Sequence, residues 1–165
     1  MNPRFSVVAP VFNEEALIEE FYQRVCNVME GIGEPWELVL VNDGSRDGTE
    51  RLILSAAKQR DDISLINLSR NFGKEAALFA GMRHAKGSAV IPLDVDLQDP
   101  PAVISEMIVR WRAGAKVVNA RRACRDEDSW LKSLTANAFY RVFNALAEQP
   151  IPRDVGDFRL FDREV

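Results

Sequence analysis

Two carboxylates two residues apart stand where an apolar run ends, in the segment VIPLDVDLQDPP (90–101). On an extended chain Asp94 and Asp96 point to the same side, about 6.5 Å apart at their α-carbons, and Gln98 joins them if the extended trace continues. Carboxylate and amide oxygens suit a hard divalent cation that also binds phosphate oxygens. The segment therefore predicts a metal–diphosphate site, and the alternative is that both aspartates simply cap turns.

Two other apolar runs end in side chains that could bind a nucleoside. Asp43 in VNDGSRDGT could accept a hydrogen bond from a base N–H, or its Asp-Gly pair could be turn chemistry. In APVFNEE, Pro10 and Val11 could form a flat apolar wall for a base. Glu14 could accept a hydrogen bond from a base or ribose, or could favour a helix N-terminus by its charge.

Three residues are candidates for helix caps. Asp99 precedes two prolines, a pattern typical of an acidic N-cap before a helix that opens with proline. Asp47 or Thr49 is predicted to cap the helix after the second strand.

These residues have to be positioned by short apolar, β-branched runs that alternate with segments of helical periodicity. The predicted strands are Phe5–Ala9, Leu38–Val41, Ile63–Leu68, Ala89–Leu93, Lys116–Asn119 and Phe158–Phe161, and helices are predicted near 17–29, 47–60, 74–86 and 101–113. The alternation predicts an α/β fold with a mostly parallel sheet covered by helices on both faces. Ligands bind beyond the carboxyl ends of such strands, where the polar segments lie.

Composition limits the function classes. The chain has 165 residues, which predicts one domain (1–165), and its net charge of −4 gives no reason to expect a nucleic-acid partner. Two cysteines are too few for a disulfide framework, and no signal peptide or apolar stretch of membrane-spanning length is found, so a soluble, cytoplasmic chain is expected. Dinucleotide and P-loop patterns are absent from the sequence. A strand followed by a helix start at 158–165 suggests that a longer protein is truncated here.

Five segments together carry a family resemblance: VVAPVFNEE, VLVNDGSRDGT, RNFGKEAAL, LDVDLQDPP and GDFRL. In order and spacing they resemble the inverting family 2 glycosyltransferases, whose GT-A fold is a Rossmann-like three-layer αβα sandwich. Within that family the chain looks most like the polyprenyl-phosphate sugar transferases, the group of dolichol-phosphate mannose synthase and bactoprenol glucosyltransferase. The resemblance implies a UDP- or GDP-linked sugar donor, Mg²⁺ or Mn²⁺, and a polyprenyl-phosphate acceptor at the cytoplasmic face of a membrane.

The resemblance also implies roles for individual residues. By position, the nucleoside contacts would be Pro10, Val11, Asn13, Glu14 and Asp43; the metal and diphosphate ligands Asp94, Asp96 and Gln98; the residues near phosphate or acceptor Lys74 and Arg121; and the base Asp157. A phosphate acceptor is largely ionised at neutral pH, since its second pKa is about 6. Asp157 could therefore position the acceptor instead of taking a proton, or could be a turn residue.

Two other functions remain open at this point. One is a soluble family 2 transferase that acts on a sugar or protein hydroxyl, and the other is a nucleotide-sugar-binding domain without turnover. The mixed run 121–128 could clamp the acceptor phosphate or be a solvated loop, and the apolar stripe at 131–146 could pack on the sheet or lie on a membrane surface.

Overall fold

The computed structural model describes residues 3–121 and 155–165, with side chains at 3–120 and 158–165. Its elements in chain order are β1 (Phe5–Val11), α1 (Ile18–Ile32), β2 (Trp36–Asn42), α2 (Thr49–Gln59), β3 (Ile63–Asn67), α3 (Lys74–His84), β4 (Ala89–Pro92), α4 (Val103–Arg112), β5 (Val117–Arg121) and β6 (Val155–Asp162). The chain divides into two compact units. One comprises Met1–Asn119 and Asp157–Val165, and the other, Ala120–Gly156, lies almost wholly outside the described residues. The prediction of a single domain stays a prediction.

The six strands form one sheet in the order β3-β2-β1-β4-β6-β5. β1 pairs in parallel with β2 and β4, β2 pairs in parallel with β3, and β4 pairs antiparallel with β6. The predicted α/β fold with a mostly parallel sheet is confirmed. Since the chain runs from β1 to β3 in one direction and then places β4 on the other side of β1, a topological switch point lies between β1 and β4.

Helices cover both faces of this sheet. The Phe5 ring meets Trp111 of α4 edge to face at 5.6 Å between ring centroids, and α1 contacts both α2 and α4. Val8 lies three residues further along β1 and therefore faces the other way. It packs there with Val41 and with Ala77 of α3. The sheet is thus the middle of three layers, and strand residues such as Phe5, Val7 and Val8 are fully buried.

The cap predictions have mixed outcomes. Helix α2 begins at Thr49 with Gly48 as N-cap residue, and the Thr49 N–H donates to Asp47 Oδ1 at 3.1 Å, so Asp47 does satisfy a helix N-terminus. Helix α4 begins at Val103 with Ala102 as its N-cap residue. The expectation for Asp99 was therefore wrong, because a turn through the two prolines separates it from the helix. None of the helices within the described ranges has the length and apolar character needed to span a bilayer.

Candidate functional site

A cleft of about 330 Å³ lies at the switch point, beyond the carboxyl ends of β1, β2 and β4. Its lining consists of Pro10, Val11, Phe12, Glu14, Asp43, Asn71, Gly73, Lys74, Asp94, Val95 and Asp96. The strand register explains why these residues lie together. Val8 pairs with Pro92, so Asp94 comes level with Pro10, and Val11 pairs with Asn42, just before Asp43.

Most of the predicted site residues are brought together here, but four need separate comment. The side chains of Arg121 and Asp157 lie outside the described residues. Asn13 and Gln98 are not among the lining residues. The predicted contacts of Asn13 with the nucleoside and of Gln98 with the metal stay predictions, and the structure changes the argument for both residues.

Asn13 ties the loop after β1 to the loop after β2. It has a left-handed backbone with φ 55°, its N–H donates to Ser45 Oγ at 2.9 Å, and its Oδ1 accepts the Arg46 N–H at 2.9 Å. Left-handed backbone is tolerated by asparagine better than by most residues. The side chain therefore has a structural task on which the shape of the cleft depends.

The same two loops are joined by one hydroxyl and two acidic side chains. The Glu14 N–H donates to Thr49 Oγ1 at 2.9 Å, and the Gly48 N–H donates to Glu15 Oε2 at 2.9 Å. Asp47 accepts N–H groups from Glu15 and Thr49. Desolvation raises the pKa of Asp47, but its hydrogen bonds with Thr49 and Glu15 outweigh this effect and hold the pKa below its ordinary value. Asp47 thus acts as a loop and cap residue, as the turn interpretation predicts.

Asp43 anchors the segment that leads into α3. Its carboxylate is almost fully buried, with the residue 2% exposed, and it accepts the Phe72 N–H at 2.8 Å and the Gly73 N–H at 2.9 Å. A Cβ on Gly44, whose φ is 72°, would lie 2.6 Å from the carbonyl carbon of Arg70. Asp43 and Gly44 therefore seat this segment closely against the end of β2, and the predicted contact of Asp43 with a base would be a second role.

Asp94 and Asp96 both line the cleft, but not on an extended strand. β4 ends at Pro92, Leu97 has φ 59°, and the Gln98 N–H donates to Asp96 Oδ1 at 3.1 Å. The extended trace that would carry Gln98 beside the two aspartates was wrong, because the chain turns back on Asp96. Asp94 Oδ2 lies 2.7 Å from Lys74 Nζ, the first residue of α3.

The donor chemistry of the cleft fits a hard divalent cation. Four carboxylates line it together with one ammonium, that of Lys74, and burial raises the pKa of Glu14, with further contributions from the charges of Asp96 and Asp47. Within the described ranges, no three acidic, histidine or cysteine side chains gather closely enough to hold a metal by themselves. Two carboxylates plus phosphate oxygens and waters is nevertheless the usual ligand set of Mg²⁺.

Sequence reasoning missed four lining residues: Phe12, Asn71, Gly73 and Val95. Phe12 is 42% exposed, and a large aromatic ring directly after the apolar run of β1 was a signal that could have been read. Asn71 and Gly73 lie in the segment RNFGKE, which has no periodicity and is hydrogen-bonded to Asp43 at the edge of the cleft.

Comparison with known proteins gives a consistent result. The model of the family described as Glycosyl transferase family 2 matches residues 6–165. The bactoprenol glucosyl transferase of Shigella phage SfV is 48% identical over 162 residues, 98% of this chain and 53% of that protein. The undecaprenyl-phosphate 4-deoxy-4-formamido-L-arabinose transferase of Salmonella paratyphi B is 34% identical over 156 residues, 94% of this chain and 46% of that protein. The chain spans about half the length of these curated relatives.

Solved structures agree on the fold. A mannosyltransferase from Pyrobaculum calidifontis, in complex with GDP-Man and Mn²⁺, matches 99% of this chain and 46% of its own with a TM-score of 0.65 and 27% identity. Glucosyl-3-phosphoglycerate synthase from Mycobacterium tuberculosis, with Mn²⁺, UDP and phosphoglyceric acid, matches 99% of this chain and 56% of its own with a TM-score of 0.65. The latter is 22% identical and supports the fold alone. With its three-layer GT-A fold and a family match over nearly its whole length, the chain belongs to glycosyl transferase family 2.

Proposed function

We propose that this chain is the catalytic domain of an inverting glycosyltransferase that moves a sugar from a UDP- or GDP-linked donor to a polyprenyl phosphate, with the help of a divalent cation. The observation that carries the proposal is the cleft at the switch point, which is lined by Asp94, Asp96 and Lys74 together with apolar residues and a buried carboxylate. Such a surface has separate places for a diphosphate and for a base.

The nucleoside would lie against Pro10 and Val11, which are apolar and form the cleft wall at the end of β1. Asp43 would accept a hydrogen bond from a base N–H, since each carboxylate oxygen has a second lone pair beside the one that its backbone partner uses. Glu14 would accept from the base or ribose, as predicted from the sequence. Asn13 would support these contacts by fixing the loop.

The diphosphate would lie at Asp94 and Asp96. Mg²⁺ or Mn²⁺ held between these two carboxylates would neutralise the charge that develops on the leaving diphosphate. Gln98 would need to turn its amide towards the cleft to take part. Lys74 supplies a further positive charge at the same wall of the cleft.

The acceptor class is inferred from the relatives, whose names refer to bactoprenol and undecaprenyl phosphate. An ionised phosphate oxygen would attack the anomeric carbon in line with the departing diphosphate and invert its configuration. Arg121 would lie near the acceptor phosphate, and Asp157 would position the acceptor or accept a proton. The reaction would take place at the cytoplasmic face of the membrane.

The test is sugar transfer from radiolabelled UDP-glucose and GDP-mannose to a short polyprenyl phosphate in detergent, with and without Mn²⁺. We expect metal-dependent transfer from one of the two donors, and its loss in Asp96→Ala. The matched control is Asp61→Ala, an exposed aspartate in the groove at the opposite end of the sheet, which should transfer at the normal rate.

Other outcomes would identify another function. Transfer to a sugar or protein hydroxyl but not to polyprenyl phosphate would contradict the acceptor class. Metal-dependent donor binding without any transfer would mean that the chain binds nucleotide sugars and needs further residues for turnover. Donor binding that is indifferent to metal and to Asp96→Ala would refute the metal–diphosphate site.

A further inference from the structure

Lys74 already supplies a positive charge to one of the two carboxylates proposed to hold the metal. Its Nζ lies 2.7 Å from Asp94 Oδ2, and the side chains are 44% and 32% exposed. Both residues line the cleft together with Asp96. A divalent cation bound through Asp94 would therefore sit within a few ångströms of an ammonium, and the two positive charges would repel each other.

The backbone of Lys74 is fixed, while its ammonium can move. Lys74 is the first residue of α3, and the two residues before it donate their N–H groups to Asp43. Further along α3, Gly81 fits so closely against the sheet that a Cβ there would lie 2.4 Å from Val8. Movement is thus confined to the lysine side chain, which has a flexible four-carbon stem and three rotatable donors.

A diphosphate changes the balance of charge at this wall of the cleft. It brings negative oxygens that can accept the lysine ammonium and can share the cation with Asp94 and Asp96. We propose that Lys74 is a movable counter-ion of Asp94. This inference rests on the proposed function for the identity of the ligand, a nucleoside diphosphate. The Lys74 ammonium passes from Asp94 to a diphosphate oxygen when nucleotide binds, so that tight cation binding requires nucleotide.

In this role Lys74 is a gate for the cation: its charge weakens cation binding until nucleotide is bound. The effect can be measured without any turnover. Cation and nucleotide bind cooperatively in the wild type, since each removes a cost that the other would meet alone. Loss of the lysine charge weakens that cooperativity from both sides. It relieves the repulsion of the cation alone and removes a partner of the diphosphate.

The experiment measures free Mn²⁺ by electron paramagnetic resonance during titration of the protein, with and without UDP and GDP. Lys74→Met should bind Mn²⁺ alone about tenfold more tightly than wild type, and nucleotide should improve its Mn²⁺ affinity much less. Lys74→Arg keeps the charge and should retain the weak binding of Mn²⁺ alone. Lys58→Met, which changes an exposed lysine in the last turn of α2, should behave as wild type in both titrations.

The outcomes separate this inference from the proposed function. If Asp96→Ala abolishes Mn²⁺–nucleotide binding but Lys74→Met binds Mn²⁺ alone no better than wild type, the gate is refuted and the metal–diphosphate site stands. If Lys74→Arg binds Mn²⁺ alone as tightly as Lys74→Met, charge is not the cause and the gate is likewise refuted. If the wild type binds no Mn²⁺ even with either nucleotide, both proposals fall.

Discussion

Changing Asp43 to asparagine separates the structural role of this side chain from its predicted contact with a base. In the structure each carboxylate oxygen accepts one backbone N–H, from Phe72 at 2.8 Å and from Gly73 at 2.9 Å, in surroundings where Asp43 is 2% exposed. Asparagine has nearly the same shape but only one oxygen. Its amide NH₂ would point at a backbone N–H that also has to donate.

The expected cost follows from these two bonds. One charge-assisted hydrogen bond is lost, which costs about 2 kcal/mol, and a buried N–H is left facing another donor, which costs at least about 1 kcal/mol more. We therefore expect the free energy of unfolding to fall by about 3 kcal/mol. For an m-value of about 2 kcal/mol per molar urea, the unfolding midpoint moves down by about 1.5 M.

The assay is urea unfolding followed by circular dichroism, without any nucleotide or metal. The control is Asp96→Asn, because Asp96 lines the same cleft but is exposed, and its replacement should change stability by no more than about 0.5 kcal/mol. An Asp43→Asn midpoint equal to that of the wild type would refute the anchoring role. It would leave base binding as the only task of this carboxylate.

Three further outcomes are expected. Gly81→Ala should lower the free energy of unfolding by about 2 kcal/mol, since its Cβ would lie 2.4 Å from Val8 and 2.7 Å from Val41, both fully buried. The control is Gly31→Ala, which has open space around its Cβ. It should raise the free energy of unfolding by about 0.5 kcal/mol in the same urea titration, because alanine has the higher helix propensity. Asp47→Asn should be less stable than wild type at pH 7. Because hydrogen bonds hold the folded-state pKa of Asp47 below its ordinary value, its contribution to stability is present above the unfolded-state pKa and is lost as the pH falls through the folded-state pKa. Urea midpoints of the two proteins measured at descending pH should therefore converge. Removal of metal with EDTA should abolish the rise in melting temperature that the preferred nucleotide sugar gives, whereas equal binding with EDTA would contradict a shared metal.

The parts of the site that could be predicted from the sequence are those whose position follows from one strand end. Asp94 and Asp43 each stand directly after an apolar run, and alternation of strands and helices is enough to bring such ends to one edge of a parallel sheet. Pro10 and Val11 follow by the same argument. These residues do line one cleft, because the strand order and register of a doubly wound sheet leave few alternatives, while their roles stay predictions.

The remaining features depend on contacts between segments far apart in sequence. Asn13 bonds to Ser45 and Arg46, and Lys74 reaches Asp94. Both contacts depend on loop conformations that residue spacing in the sequence does not reveal. The extended trace through Gln98 was wrong for a local reason. An extended trace was continued through a turn, because the positive φ of Leu97 has no signature in a residue that rarely adopts it.

The partners of the carboxylates around the cleft indicate which of them can exchange its present partner for a ligand. Asp43 and Asp47 accept backbone N–H groups of loops and helix starts, and these donors cannot leave without moving the chain. Asp94 instead accepts a hydrogen bond from the Lys74 ammonium, which stands on a flexible stem and can move aside for a cation. A pattern of acidic residues in the sequence cannot distinguish a carboxylate that holds the scaffold from one that can exchange its partner. That distinction is made by the donor, and here it favours Asp94 for the exchange and Asp43 for the scaffold.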